Sequence, residues 1–314
     1  MSQARPRASV IVPTRGGASR LPRLLDLLAA QDERDHEVVV VVDGDVDDSA
    51  AVLADRTDGG RILVEVLSEN RGRSVALNTG FALASGEVLI RCDDDLEPAP
   101  NFVSAHVAAH TDADVGVVGL YRNVFPDTPY ARAYGRHADQ LFRDQAYASD
   151  PSTWWRYWAG NVSVTREVAE EVGPYDTRYR AYGWEDVDWG YRLHRTGRRV
   201  VLDRHLETTH RLTATTTPAR TVRAFYSGAA KAAFDSRHGS DVLPVPRSPG
   251  LWGTAVRTAG AVLDERRLAR ASGLVDRALP RLPEAVGRKA VALLVEAGSV
   301  AGRRTAAVSN DAAV

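Results

Sequence analysis

The chain has 314 residues, 44% of them hydrophobic, which is enough apolar material for a full core in one large α/β domain or a domain with an appendage. Its formal net charge of −1 gives no general reason to expect nucleic acid, and its single cysteine, Cys92, excludes an internal disulfide and every multi-cysteine zinc site. Met1 to Arg7 is polar and no run approaches the roughly 20 apolar residues of a membrane span, so the sequence reads as soluble and cytoplasmic.

The first half alternates strands and helices. Ala8 to Val12 is a β-branched run stopped by Pro13. Ser19 is placed to cap a helix through Gln31, with Leu21, Leu24, Leu25 and Leu28 at helical spacing. Val38 to Val42 is continuously apolar, as a central parallel strand buried on both faces should be. Asp48 or Ser49 starts a second helix, and Ile62 to Leu67 is a third strand. Ser74 caps a helix that ends at Gly86, a residue suited to a left-handed C′ position. Val88 to Cys92 is the fourth strand, with Cys92 as a small buried residue. This alternation predicts an α/β fold with a mostly parallel sheet flanked by helices, whose ligands bind beyond the carboxyl ends of the strands.

The middle is less regular. Asn101 to His110 reads as helix, Val115 to Tyr121 as strand, and Tyr130 to Tyr147 contains a helix. The aromatic cluster Trp154, Trp155, Tyr157 and Trp158 precedes Gly160-Asn161 and a strand at Val162 to Thr165. Such residues either fill a core or stack on a sugar. Glu167 to Val172 is a helix closed by Gly173, Glu185 to Arg195 another closed by Gly197, and Arg199 to Leu202 the last strand. Beyond Thr217 the pattern is helical, interrupted by a proline-rich linker at Leu243 to Gly250. From Arg257 onward ten Lys and Arg give a local basic excess, a solvated face or a contact for an anionic membrane surface. The last dozen residues read as disordered.

The chemistry collects at the strand ends. Pro13-Thr14-Arg15 follows the first strand, Asp43-Gly44-Asp45 the second, Glu69-Asn70-Arg71-Gly72 the third, and Asp93-Asp94-Asp95 the fourth. Strand alternation sends Asp93 and Asp95 to one side and Asp94 to the other. Crowded carboxylates either form a solvated acidic turn or hold a cation, for which Mg2+ or Mn2+ with a substrate diphosphate is the fitting one. An EF-hand loop does not fit, because its glycine would fall at Pro98 and its bidentate glutamate at Ser104. No dinucleotide fingerprint or P-loop follows the first strand, so metal and arginine are expected to neutralise the phosphates. Downstream, Gly183-Trp184-Glu185-Asp186-Val187-Asp188 leads carboxylates into a helix, where they either complement the helix dipole or serve as a general base.

In their order and spacing, Val10–Arg15, Val38–Asp43, Asn70–Gly80, Asp93–Pro98, Gly160–Ser163 and Gly183–Leu193 resemble the family 2 glycosyltransferases, inverting nucleotide-sugar enzymes of the GT-A fold. The resemblance implies a GT-A type Rossmann-like catalytic domain over 1–216, with a nucleotide-sugar half of about 1–98 and an acceptor half of about 99–216, and a helical extension over 217–314. It implies that Thr14 and Asp43 hold the nucleobase, with Pro13, Arg15 and Asn70 beside them, and that Arg71 reaches base or diphosphate. Asp93 and Asp95 would form the D-x-D pair, Asp93 with Asp94 near the ribose and Asp95 on Mn2+ or Mg2+, with His210, or its rival His205, as a third metal ligand or a diphosphate contact. Asp186 would be the base and Glu185 would orient acceptor or sugar. Trp158, Gly160, Asn161 and Trp184 would line the acceptor side, while Asp188 would pair with an arginine.

The implied reaction is a single in-line displacement from a nucleoside-diphosphate sugar to a glycan, lipid-linked or small-molecule acceptor. UDP is the expected carrier, with dTDP and GDP open. A peripheral membrane contact or a homodimer through the C-terminal helices is a further expectation, as is a bacterial source from the Arg- and Ala-rich composition. The rivals are a nucleotidyltransferase, which lacks its Gly-rich loop here, and a non-catalytic sugar-nucleotide or glycan-binding protein on the same fold.

Overall fold

The computed structural model describes residues 5–54, 56, 61–111, 114–179, 183–245 and 248–311, with 307–311 as backbone only. They form two compact units, one of Met1–Asn123, Arg143–Arg180 and Glu185–Leu212, the other of Val124–Phe142, Ala181–Trp184 and Thr213–Val314.

In the first unit, β1 (Ala8–Thr14), β2 (His36–Asp43), β3 (Ile62–Leu67) and β4 (Val88–Cys92) alternate with α1 (Leu21–Ala29), α2 (Ser49–Ala54) and α3 (Arg73–Leu83). After the short β5 (Leu96–Glu97) come α4 (Phe102–Ala108), β6 (Gly116–Val118) and β7 (Tyr121–Asn123). Past α5 (Arg136–Ala148) and a 3-10 turn at Pro151–Tyr157 lie β8 (Asn161–Thr165), α6 (Arg166–Val172), α7 (Trp184–Arg195), β9 (Val200–Leu202) and β10 (Thr208–His210). The main sheet has the order β3-β2-β1-β4-β8-β6-β9, with β1 to β4 parallel and β8 antiparallel to both its neighbours. A small sheet, β5-β10-β7, stands apart from it. Val10, Val12, Val38, Val40 and Ile90 pack with the leucines of α1 in the main core. The continuous burial of β1, β2 and β4 is that of strands covered on both faces.

The second unit holds α8 (Thr217–His238), α9 (Gly250–Val262), α10 (Glu265–Ala278) and α11 (Glu284–Asp311). It also takes in Val124–Phe142, assigned from sequence to the acceptor half, because Tyr130 and Ala133 bury themselves with Ala224, Leu279, Val291 and Val295. No described helix is long and apolar enough to cross a membrane.

Several local expectations are corrected. Ser19 caps nothing, since α1 begins at Leu21 after Arg20 without a side-chain cap. Ser74 lies inside α3, whose N-cap is Gly72, and its hydroxyl is buried without a partner among the described residues. That helix stops at Leu83, and Gly86 is tight against the β1 backbone instead of in a left-handed cap. The strand expected at Val115 to Tyr121 is divided between two sheets as β6 and β7. The tail expected to be disordered is helical as far as Asp311, and 312–314 lie outside the described residues.

Candidate active site

Parallel pairing of β2, β1 and β4 carries Asp43, Thr14 and the aspartate triplet to one edge of the sheet, where a cleft of about 340 Å³ opens. Pro13, Thr14, Arg15, Asp43, Asn70, Asp93, Asp94 and Asp95 all line it, joined by Arg20 and Arg73. Arg71 does not line it. Its side chain is exposed, and its backbone N–H donates to Asp43 Oδ1 at 2.6 Å. Gly72, at φ 93°, donates to Asp43 Oδ2 at 2.9 Å. Asp43 therefore clamps the turn into α3, and each oxygen keeps a second lone pair for a ligand. A separate cavity of about 390 Å³, walled by Phe81, Leu89, Tyr175 and Trp189, contains none of the predicted residues.

The three aspartates lie in a turn just beyond β4, where strand alternation no longer governs them, and each takes a different partner. Asp94 accepts from Thr14 Oγ1 and from Arg20 Nη2, the latter at 2.7 Å, although burial raises its carboxyl. Asp93 accepts from Arg91 Nε at 2.9 Å and Nη2 at 3.3 Å. Burial alone would raise the Asp93 carboxyl, but Arg91 and then Arg73 outweigh it and hold it below the usual carboxylate range. Asp95 faces His210, Oδ2 to Nε2 at 3.1 Å, because β10 pairs with β5 and β7. The other His210 nitrogen meets Asn123 Oδ1 at 2.5 Å, and the ring packs on Tyr121. This second contact fixes the imidazole plane in the way that supports metal ligation.

Among the described residues, no three His, Cys, Asp or Glu side chains are arranged to hold a metal by themselves. Mg2+ and Mn2+ sites that share a substrate diphosphate need only one or two protein ligands. Ligands about 2.1 Å from an octahedral ion and at right angles lie about 3.0 Å apart. The separation of Asp95 Oδ2 and His210 Nε2, 3.1 Å, fits that edge.

Arg91 is the residue that the sequence reading passed over. It is fully buried in β4 and donates through Nη1 to Asp186 Oδ1 while its other nitrogens hold Asp93. A signal existed: a guanidinium inside the apolar run Val88–Cys92 must find buried carboxylates. Burial pushes the Asp186 carboxyl up to about 7 against the opposing pull of Arg91. Beside it, Glu185 Oε1 lies 3.4 Å from Arg73, and Oε2 is buried with no partner among the described residues. Asp188 pairs with Arg192 at 2.9 Å, as expected.

The predicted acceptor residues are mostly structural. Trp158 is 2% exposed, stacked on Trp189 with its indole N–H donated to the Tyr175 hydroxyl. Trp184 lies in the second unit, where it packs on Phe234 and donates to Ser227 Oγ. Gly160 stands directly against Asp93, because Asn161 pairs with Cys92 across β8 and β4. A Cβ at Gly160 would fall 2.1 Å from the Asp93 carboxylate, so glycine is required for room.

Asn161 is fully buried, donating to Leu206 O and Thr208 Oγ1 and accepting from His106 Nε2 at 3.0 Å. Since Asn161 Oδ1 can only accept, His106 carries its hydrogen on Nε2, and Nδ1 must accept from Ser163 Oγ at 2.8 Å. Ser163 Oγ in turn accepts from His110 Nε2. Every proton in this chain has one place, and burial lowers His106 to about 3 and His110 to about 4. Both rings are therefore neutral in the fold, and stability present above an ordinary histidine pKa of about 6.5 is lost as pH falls below it. His106 alone should cost on the order of 4 kcal/mol by the time its folded pKa is reached. Urea unfolding at neutral and mildly acid pH should show this loss, and His106→Gln should lose less; equal losses would place the acid sensitivity elsewhere.

The description "Glycosyl transferase family 2" belongs to a family model that matches residues 9–173, just over half of the chain. The chain belongs to this family. It is 26% identical over 252 residues to the uncharacterized glycosyltransferase YfnE of Bacillus subtilis, covering 65% of this chain and 64% of that one. It is 32% identical over 228 residues to the validoxylamine A glucosyltransferase of Streptomyces hygroscopicus subsp. jinggangensis, covering 63% and 54%. The match thus spans less than two thirds of each relative's length. The mannosyltransferase PcManGT of Pyrobaculum calidifontis, solved with GDP-Man and Mn2+, shares the fold at a TM-score of 0.62 and 22% identity, over 94% of this chain and 86% of that one. The fold is thus of the GT-A type.

Proposed function

We propose that this enzyme moves a sugar from a nucleoside-diphosphate sugar, UDP-linked, to an acceptor hydroxyl with inversion, with Asp186 as general base. One observation carries the reading: a single buried guanidinium, Arg91, joins Asp93 of the donor cleft to Asp186, a carboxylate pushed up into the range suited to a base. Asp43 and Asn70 would receive the nucleobase, and Arg73, two residues along from Arg71, would take the cationic place in the cleft. Asp95 and His210 would hold a divalent ion, which when bound supplies charge neutralisation to the departing diphosphate. Arg91 occupies Oδ1 of Asp186, and Oδ2, without a hydrogen bond among the described residues, would take the acceptor proton. Glu185 Oε2, a buried acceptor with no donor among the described residues, would orient a sugar hydroxyl. The relative named for validoxylamine A supports a small-molecule acceptor, with glycan and lipid-linked acceptors as the other classes.

Calorimetric titration of UDP, with Mn2+ and then with EDTA, tests the donor half. Binding should depend on metal, and Asp95→Ala should weaken the metal-dependent part by about tenfold or more. If GDP or dTDP binds in the same cell and UDP does not, the base is reassigned. Failure of all three leaves the fold and removes the function.

A further inference from the structure

In the second unit, α10 and the 3-10 turn that follows it, Leu279–Arg281, carry an uneven charge distribution. Arg266, Arg270, Leu274 and Arg277 recur at spacings of four, four and three, so they share one helical face, and Arg281 continues it. All five are exposed, Leu274 at 64%. Among the described residues none of these four arginines makes an ion pair or a side-chain hydrogen bond, whereas Arg267, just off the face, is tied to Asp264. The acids of the helix are turned to the opposite side. Asp276 accepts from the backbone and hydroxyl of Thr217, and Glu265 from the Tyr226 hydroxyl. Leu268 and Ser272 are buried on that inner side. The outward face is therefore cationic without compensation, and its only large apolar group stands in the middle of the arginines.

We infer that this face of α10 is a docking surface for an anionic lipid bilayer. A basic helix face interspersed with apolar residues suits the headgroup boundary, where arginines meet phosphates and a leucine enters the acyl edge. A nucleic-acid backbone would satisfy the arginines but has no use for an exposed leucine among them. The inference does not depend on the catalytic reading, since none of these residues lies at the cleft.

Flotation with vesicles of pure phosphatidylcholine, and with vesicles of three parts phosphatidylcholine to one part phosphatidylglycerol, tests it. The protein should bind only the anionic vesicles, and less at high salt. Each arginine near such a surface is worth roughly fivefold in partitioning, so Arg270→Glu with Arg277→Glu should weaken binding by at least about thirtyfold. Leu274→Ser should weaken it a few-fold at any salt, which a purely ionic contact would not show. Unchanged circular dichroism would confirm that the variants fold. No binding to anionic vesicles, equal binding by the double variant, or displacement from vesicles by a DNA duplex would each overturn the inference.

Discussion

Asp186→Asn should slow glycosyl transfer by about a hundredfold to ten-thousandfold, the usual worth of a positioned general base, while UDP and Mn2+ bind as before. The amide keeps the shape and an acceptor oxygen for Arg91, so the thermal midpoint should stay close to wild type. The pH dependence is the sharper test. An acidic group whose folded pKa is raised is protonated, and useless as a base, below that value. Because burial raises Asp186 to about 7, transfer at saturating donor should climb as pH rises through about 7 and then level off. Residual activity in the variant should lose that step. If Asp186→Asn weakens UDP binding as much as it slows transfer, the residue belongs to the donor site and the assignment of the base fails.

What the sequence disclosed follows from periodicity. Continuous apolar runs located β4 to the residue and β1 and β2 to within two residues at an end, and parallel order alone put Asp43, Thr14 and the triplet on one edge. His210 was reached only by resemblance, because β5, β7 and β10 are each too short to announce themselves by pattern. What stayed hidden was which side of the backbone each polar group serves. Asn161 and Trp158 look like ligand contacts in a string of letters, yet antiparallel pairing of β8 turns one into a buried network and packing on Trp189 takes the other into the core. Arg71 and Arg73 differ by two positions, and only the turn held by Asp43 decides which of them lines the cleft. Nothing in local sequence specifies that choice.

Arg91→Met should be the most destabilising single change at the site. It leaves Asp93 and Asp186 without the cation that both share in a buried setting, and removing one partner of a buried ion pair costs about 3 to 5 kcal/mol. Urea unfolding at neutral pH would measure it. The effect on Asp186 has a definite sign. Burial already raises that carboxyl, and Arg91 is the strongest opposing pull, so its loss must raise the carboxyl further and move the onset of transfer to higher pH. A merely structural arginine would lower stability without moving the onset. Arg91→Lys keeps the charge but loses the planar fork that reaches two carboxylates at once, so it should recover part of the stability and only part of the pH shift. Replacing Arg91, Asp93 and Asp186 together by apolar residues should restore much of the stability with no activity, since uncompensated charge, and not the loss of a favourable bond, is the source of the cost. An onset of transfer that stays near 7 in Arg91→Met would disconnect the guanidinium from the base and leave it as packing alone.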